Sequence, residues 1–478
     1  MNSNFASAHH TIVLSDIHLA DAEPPHPSNP LWKRFKRPKY FIDRTFGRLL
    51  DYLHESVNEP IELILNGDIF DFDSVMVIPE NPSFHVSWLE RKRGLGSSEE
   101  KSRYKMSIIL RDHHVWVEGI ERHLSRGHKL IFVIGNHDVE LHWPSVQGEI
   151  LDRIDPESRY RSSVRFCEWF YVSNADTLIE HGNQYDSFCL CQNPIHPVIR
   201  SGANVHVRLP FGNLAGKFMT NGMGLFNPHV EASYIKSSFW EYVVFFYKYV
   251  IRVQPFLIWT WFWGAVFTMI YSVGEGLRPA LKDPLTVEQR VDDIAEKSNS
   301  TPRVVRSIRE LHVHPAIYNP YKILKELWLD RGLMLIGIAL ASFWFVSVTN
   351  LVIPVSFWKF FLIPFVLLLP IFVFYARSVG SETLEVQKVA FKKIPLSSQI
   401  VGVGRVVHGH THRELHAQMG GVEHLNTGTW SPAFYDVECM RPYGRKCFAW
   451  IKPDGTGKRS AGLYEWKDAD AELIKPLD

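Results

Sequence analysis

Asp16 and His18 in "SDIHL", Asp68 and Asp71 in "NGDIFD", and Asn136, His137 and Asp138 in "GNHD" place acids, an amide and imidazoles at short, fixed spacings. His181 in "EHGN" and the pair His410 and His412 in "GHTH" follow much further along the chain. Carboxylate and amide oxygens mixed with imidazole nitrogens suit Mn²⁺, Zn²⁺, Fe or Co better than a Ca²⁺ cage or a thiolate site. Asp16, His18, Asp68, Asn136, His181, His410 and His412 are too many donors for one tetrahedral ion. They suit two ions sharing a bridging carboxylate, the arrangement that serves in-line displacement at phosphorus. Asp68 is the natural bridge, central in the series and backed by Asp71.

Residues so far apart need a scaffold that delivers them to one place. Each motif follows a short aliphatic run ending in a turn signal: "TIVLSD" (11–16), "IELILNGD" (61–68), "KLIFVIGN" (129–136), "TLIEHG" (177–182) and "RVVHGH" (405–410). Such runs read as strands. The amphipathic stretches 40–57 and 113–127 between them read as helices, giving an α/β, layered α/β/α type of domain. Ligand groups collect at the C-terminal ends of strands in such sheets. Residues i and i+2 leaving a strand can both turn toward one ion, which accounts for the D-x-H and H-x-H spacings.

D-x-H, G-D-x-x-D, G-N-H-D, an isolated H-G and G-H-x-H, in this order, resemble the calcineurin-like metallophosphoesterase family over about Thr11–His181 and Val401–Trp450. The resemblance implies a layered α/β/β/α sandwich and a metal-dependent phosphoric ester hydrolase with two divalent metal ions, manganese being expected. It implies Asp16, His18, Asp68 and His412 around one ion, and Asp68, Asn136, His181 and His410 around the other. His137 would meet the substrate as electrostatic stabiliser or general acid, oriented by Asp71. "LNTGTW" (425–430) resembles the strand and turn that follow G-H-x-H in many members. Taken singly, Asp71 could be a helix cap, Asn136 a turn residue and His181 a core histidine.

The middle of the chain has a different character. Val253–Gly274 is uncharged and about long enough to cross a hydrocarbon core; Gly332–Trp358 and, after Lys359, Phe360–Ala376 are uncharged too. We divide the chain into a first metallophosphoesterase part (1–238), a mostly helical, membrane-associated insertion (239–380) and a second metallophosphoesterase part (381–478). Since His181 and His410 must reach the same ions, both flanks lie on one side of any membrane and the crossings are even in number. A hairpin over Gly332–Ala376 turning near "TNLVIPVS", with 239–274 lying in the interface or dipping in and returning, satisfies that. A soluble bundle of buried helices is the alternative.

Lys236, Lys248, Arg252, Arg331, Arg377, Lys392 and Lys393 flank these segments, in keeping with a cytoplasm-facing catalytic part. The basic loops 32–39 and 91–105 could meet anionic head groups. Five scattered cysteines, Cys189 and Cys191 among them, read as free thiols, and the first residues lack the pattern of a secretory leader. With 52 Lys+Arg against 51 Asp+Glu, whole-molecule charge gives no case for nucleic acid. A hydrophobic insertion after the H-G motif resembles the UDP-2,3-diacylglucosamine pyrophosphatase branch, although that branch usually has Arg at the His137 position and a far shorter insertion. The expected substrate is a lipid-linked phosphodiester or pyrophosphate. Soluble nucleotides or phosphoproteins, with the insertion only as anchor, and a non-catalytic membrane scaffold are the rival readings.

Overall fold

The computed structural model describes residues 5–477 except 203, 225–226, 228–239, 241–243, 245, 252–253, 279–283, 357, 360–361, 363–365 and 367–382. The expected second leg of the hairpin, 360–376, thus lies almost wholly outside the described residues, as do Lys236, Arg252 and Arg377.

The strands are β1 (His10–Leu14), β2 (Ile61–Asn66), β3 (Lys129–Val133), β4 (Val164–Cys167), β5 (Phe170–Ser173), β6 (Thr177–Glu180), β7 (Val198–Ser201), β8 (Asn204–Val207), β9 (Arg405–His408), β10 (Glu414–Met419), β11 (Val422–Thr427), β12 (Cys447–Pro453), β13 (Arg459–Trp466) and β14 (Ala471–Ile474). One sheet has the order β14-β13-β12-β1-β2-β3-β4, a second β10-β11-β9-β6-β5, and β7 and β8 form a small hairpin. Within the first sheet β1 through β4 run parallel. In the second, β6, β9 and β11 run parallel. All five aliphatic runs read from the sequence are therefore parallel strands buried on both faces, which is why they are continuous rather than alternating.

The two sheets stack face to face. Val13, Ile64, Ile131 and Val133 of the first meet Ile179, Val407 and Leu425 of the second. Their alternate neighbours Ile12, Leu14, Leu63 and Leu65 point the other way, against Phe46, Leu50, Trp116 and Ile120 of helices Asp43–Ser56 and His114–Ser125. The outer face of the second sheet is covered by helices Pro284–Lys297 and Pro302–Glu310, through Val291, Ile294, Val305 and Ile308 packed on Phe170, Leu178 and Val406. The result is the expected α/β/β/α sandwich with a helical insertion. Part of that insertion is structural: two of its helices are an outer layer of the sandwich.

Two insertion helices are long and apolar. Leu257–Leu277 and Leu329–Val352 each contain an 18-residue stretch, of mean hydropathy 1.3 and 2.0, of which 28% and 6% are buried. The first presents Gly264, Ala265, Thr268 and Ser272 inward, where small side chains allow close approach to helix Phe211–Phe218. A side chain at Gly264 would press on the Phe218 carbonyl. The second is exposed along nearly its whole length, with Leu340, Phe343, Trp344 and Phe345 each more than 60% exposed.

Candidate metal centre

Parallel pairing sends β1, β2, β3, β6 and β9 toward one edge of the sandwich, and the five motifs form the loops there. Hydrogen bonds tie these loops to each other. The Asp16 and His18 amides donate to the Gly67 and Asp68 carbonyls at 3.0 and 2.9 Å, and the Gly409 amide donates to the His181 carbonyl at 2.9 Å. The Trp430 and Ser431 amides of the segment after β11 both donate to the Asp16 carbonyl.

The backbone at the candidate ligands is strained. Asp16, His18, Asp68, His410 and His412 all have left-handed φ, between 52° and 67°. An L-residue gives up about 1–2 kcal/mol in that region. Such outliers persist where surrounding structure over-determines them, typically at functional sites. The loops also leave no room beside these side chains. A Cβ on Gly67 would collide with the His181 ring, one on Gly135 with Asp68, and one on Gly409 with Ser15 and Asp16.

Overlapping groups result, in each of which the donor atoms lie within 4.8 Å of one another: Asp16, His18 and His412; His18, Asp68 and His137; Asp68, His181 and His410; and Asp186, Cys189 and His410. His412 Nε2 is 3.1 Å from Asp16 Oδ1 and 3.2 Å from His18 Nε2. His181 Nε2 is 3.1 Å from Asp68 Oδ2, while its Nδ1–H donates to the Asn66 carbonyl at 2.8 Å. That bond fixes the tautomer and leaves Nε2 as the nitrogen for a cation. Asp68 Oδ1 accepts from the His137 amide at 2.7 Å. Asp68 belongs to two of the groups, the position a bridging carboxylate would hold.

Asn136 is buried beside these groups, its carbonyl held by Asn213 Nδ2 at 2.7 Å. Among the described residues, Asp16 Oδ1, Asn136 Oδ1 and His181 Nε2 are buried with no partner in hydrogen-bonding geometry. Orphaned acceptors cost free energy unless something satisfies them. Strained backbone, orphaned donor atoms of mixed oxygen and nitrogen type, and shared Asp68 fit divalent cations.

Charge points the same way. Burial opposes ionisation of Asp68, but the charges of His181 and His137 hold it well below the usual carboxylate range. Burial likewise opposes protonation of His181, yet Asp68 and Asp16 raise it to about 9. The surplus negative field that favours a proton there would favour a cation.

His137 is placed differently. Its side chain is 22% exposed, against 18%, 10%, 1% and 0% for His412, His410, His18 and His181. Nδ1 lies 3.3 Å from Asp71 Oδ1. Asp71 also caps the short turn Phe72–Ser74 by accepting from the Ser74 amide, so one carboxylate both caps that turn and lies against the His137 ring. Despite burial, Asp71 and Asp68 raise His137 to about 10.

The sequence reading missed several residues of the site. Asp186 accepts from His410 at 3.2 Å and from the Phe188 amide at 2.8 Å. Asp138 was visible in "GNHD" without a role; it receives the Ile69 and Gly135 amides and so ties the β2 and β3 loops together. Asp73 binds Asn213, and burial raises it to about 7. Asp186 carries one weak signal, its place five residues after His181. Of the basic loop 32–39, Lys33 and Lys36 are buried, and Lys36 pairs with Asp21 in the interior, so these two are not offered to head groups.

Residues 9–201 match the model of the calcineurin-like phosphoesterase family. That span contains Asp16, His18, Asp68, Asp71, Asn136, His137 and His181, and stops before the insertion and before His410 and His412. The match supports the metallophosphoesterase resemblance for that part of the chain. No curated protein matches the chain.

Proposed function

We propose that the protein is a membrane-associated, metal-dependent phosphoesterase that hydrolyses a phosphodiester or pyrophosphate bond of a lipid-linked substrate, UDP-diacylglucosamine-like in its chemistry. Asp16, His18, Asp68 and His412 would hold one divalent ion, and Asp68, Asn136, His181 and His410 the other, with manganese the preferred metal. Such a pair supplies charge that stabilises phosphoryl oxygens and lowers the pKa of an attacking water. His137, protonated and the most exposed imidazole of the site, gives its proton to the departing oxygen. Asp71 holds the ring at Nδ1 and so orients it.

The observation that carries the membrane and lipid part of this reading is helix Leu329–Val352. It is 24 residues long, and only 6% of its apolar 18-residue stretch is buried, with aromatic and aliphatic side chains exposed. Exposed apolar surface on this scale marks an interaction site. A hydrocarbon layer facing it would also bring acyl chains to the same molecule as the phosphoester site. The catalytic part would face the cytoplasm, in line with cysteines that form no disulfide among the described residues.

The test is hydrolysis by detergent-purified protein with Mn²⁺, comparing UDP-diacylglucosamine with its deacylated counterpart and with soluble nucleotides. Preference for the acylated compound supports the reading. Equal or better turnover of soluble esters would make the insertion an anchor only.

A further inference from the structure

His410 is held from two ends. Its amide donates to Asp16 Oδ2 at 3.0 Å, and its ring Nε2 lies 3.2 Å from Asp186 Oδ2. A carboxylate can only accept, so Nε2 carries the hydrogen and Nδ1 keeps the lone pair available to a cation. Asp186 is itself fixed. It is 7% exposed, and its other oxygen accepts from the Phe188 amide at 2.8 Å. An imidazole whose far nitrogen is tied to a carboxylate is a more basic and better oriented metal ligand.

The segment that carries Asp186 is also where the insertion is fastened. The Val313 amide donates to the Gln184 carbonyl at 3.1 Å, and the Ala316 amide to the Ser187 carbonyl at 2.6 Å. Lys322 Nζ donates to Ser187 Oγ at 3.0 Å. Phe188 packs in one cluster with Ala265 of helix Leu257–Leu277, Ala316, and Ile323 of helix Pro320–Glu326. The last of these leads through Trp328 into the exposed helix Leu329–Val352.

We propose that Asp186 is a positioning residue for the second cation: it sets the tautomer and rotation of His410, and the 184–188 segment ties that ligand to the seating of the insertion's helices. The proposal rests on the two-cation reading above. Loss of Asp186 frees the His410 ring to rotate and to exchange its tautomer. Loosening Phe188 moves Asp186 without touching the site directly.

The experiment is Mn²⁺ titration of the full-length, detergent-purified protein by calorimetry and by the Mn²⁺ paramagnetic resonance signal, with thermal midpoints recorded alongside. In Asp186→Ala the weaker Mn²⁺ site should lose about 10–100-fold in affinity, the usual cost of removing such a partner. Asp186→Asn can still accept from Nε2–H and should fall between Ala and wild type. Phe188→Ala should weaken the same site several-fold. Two Mn²⁺ ions bound with wild-type affinity in both Asp186 variants overturn the proposal, whatever happens to the midpoints. Wild-type affinity in Phe188→Ala alone overturns the link to the insertion. A wild-type protein that binds fewer than two Mn²⁺ ions defeats the two-cation reading itself, which is a separate result.

Discussion

At the scale of single residues, His137 touches two carboxylates of the site. Its backbone amide braces Asp68 while its ring is held by Asp71. A proton donor to a leaving oxygen contributes about 10²–10⁴ in rate. His137→Ala should therefore lower kcat by that factor while Mn²⁺ affinity stays within a few-fold of wild type, and Asp71→Asn should lower kcat less. If His137→Ala instead abolished binding of one Mn²⁺, the residue would be a ligand, as its grouping with His18 and Asp68 would also permit. The donors were legible in the sequence because each follows a strand-length aliphatic run. Asp186 was not: nothing in "HGNQYD" says that its carboxylate meets a histidine 224 positions later. The left-handed backbone of non-glycine ligands was equally hidden, since Asp and His carry no mark of it.

At the scale of elements, helix Asp43–Ser56, helix His114–Ser125 and the turn before β3 bring His54, His123 and His128 together. His123 Nε2 lies 3.2 Å from the Lys129 carbonyl, which can only accept, so His123 Nδ1 accepts from His54 at 3.0 Å. His128 Nδ1 accepts from the Ile61 amide at 3.1 Å. The Nδ1 lone pairs of His123 and His128 are thus spent on hydrogen bonds, while His54 Nδ1 is buried without a hydrogen-bond partner. Burial pushes His54 down to about 3 and His128 to about 4, with His123 well below its ordinary value.

The unfolded chain takes up protons near pH 6.5 that the folded one refuses. This contribution is therefore complete above pH 6.5 and is lost as pH falls toward 4. The urea midpoint should drop between pH 7 and pH 5, and His128→Gln should flatten that slope; an unchanged slope would refute the account. Element by element, the sequence foretold the five strands but neither their parallel pairing nor the partners of helices Pro284–Lys297 and Pro302–Glu310. Their amphipathic pattern says that one face is buried, not that the second sheet buries it.

At the scale of the molecule, the 184–188 segment is one of the places where the sandwich meets the insertion's helices. Arg331, expected to flank a membrane segment, is instead buried at the start of helix Leu329–Val352, bonded to the Lys325 carbonyl and stacked on Trp328. The helix therefore leaves the protein body from a fixed base. Phe343, Trp344 and Phe345 make no part of the buried core, so replacing all three with Ser should leave the thermal midpoint in detergent within about 1–2 °C. Flotation with anionic vesicles should fall at least ten-fold. Full retention on vesicles would remove this helix from the membrane account.

On the proposed function, phosphoester hydrolysis depends on divalent cations held at one edge of the sandwich, with Asp68 shared between them. The most direct measurement is turnover of the acylated nucleotide diphosphate by chelator-treated protein, before and after Mn²⁺ is restored, in wild type and in Asp68→Asn. The account predicts no turnover without metal, recovery with it, and a loss of at least 10³-fold in Asp68→Asn. Metal-independent turnover, or an Asp68→Asn protein that keeps a substantial share of the wild-type rate, would contradict it.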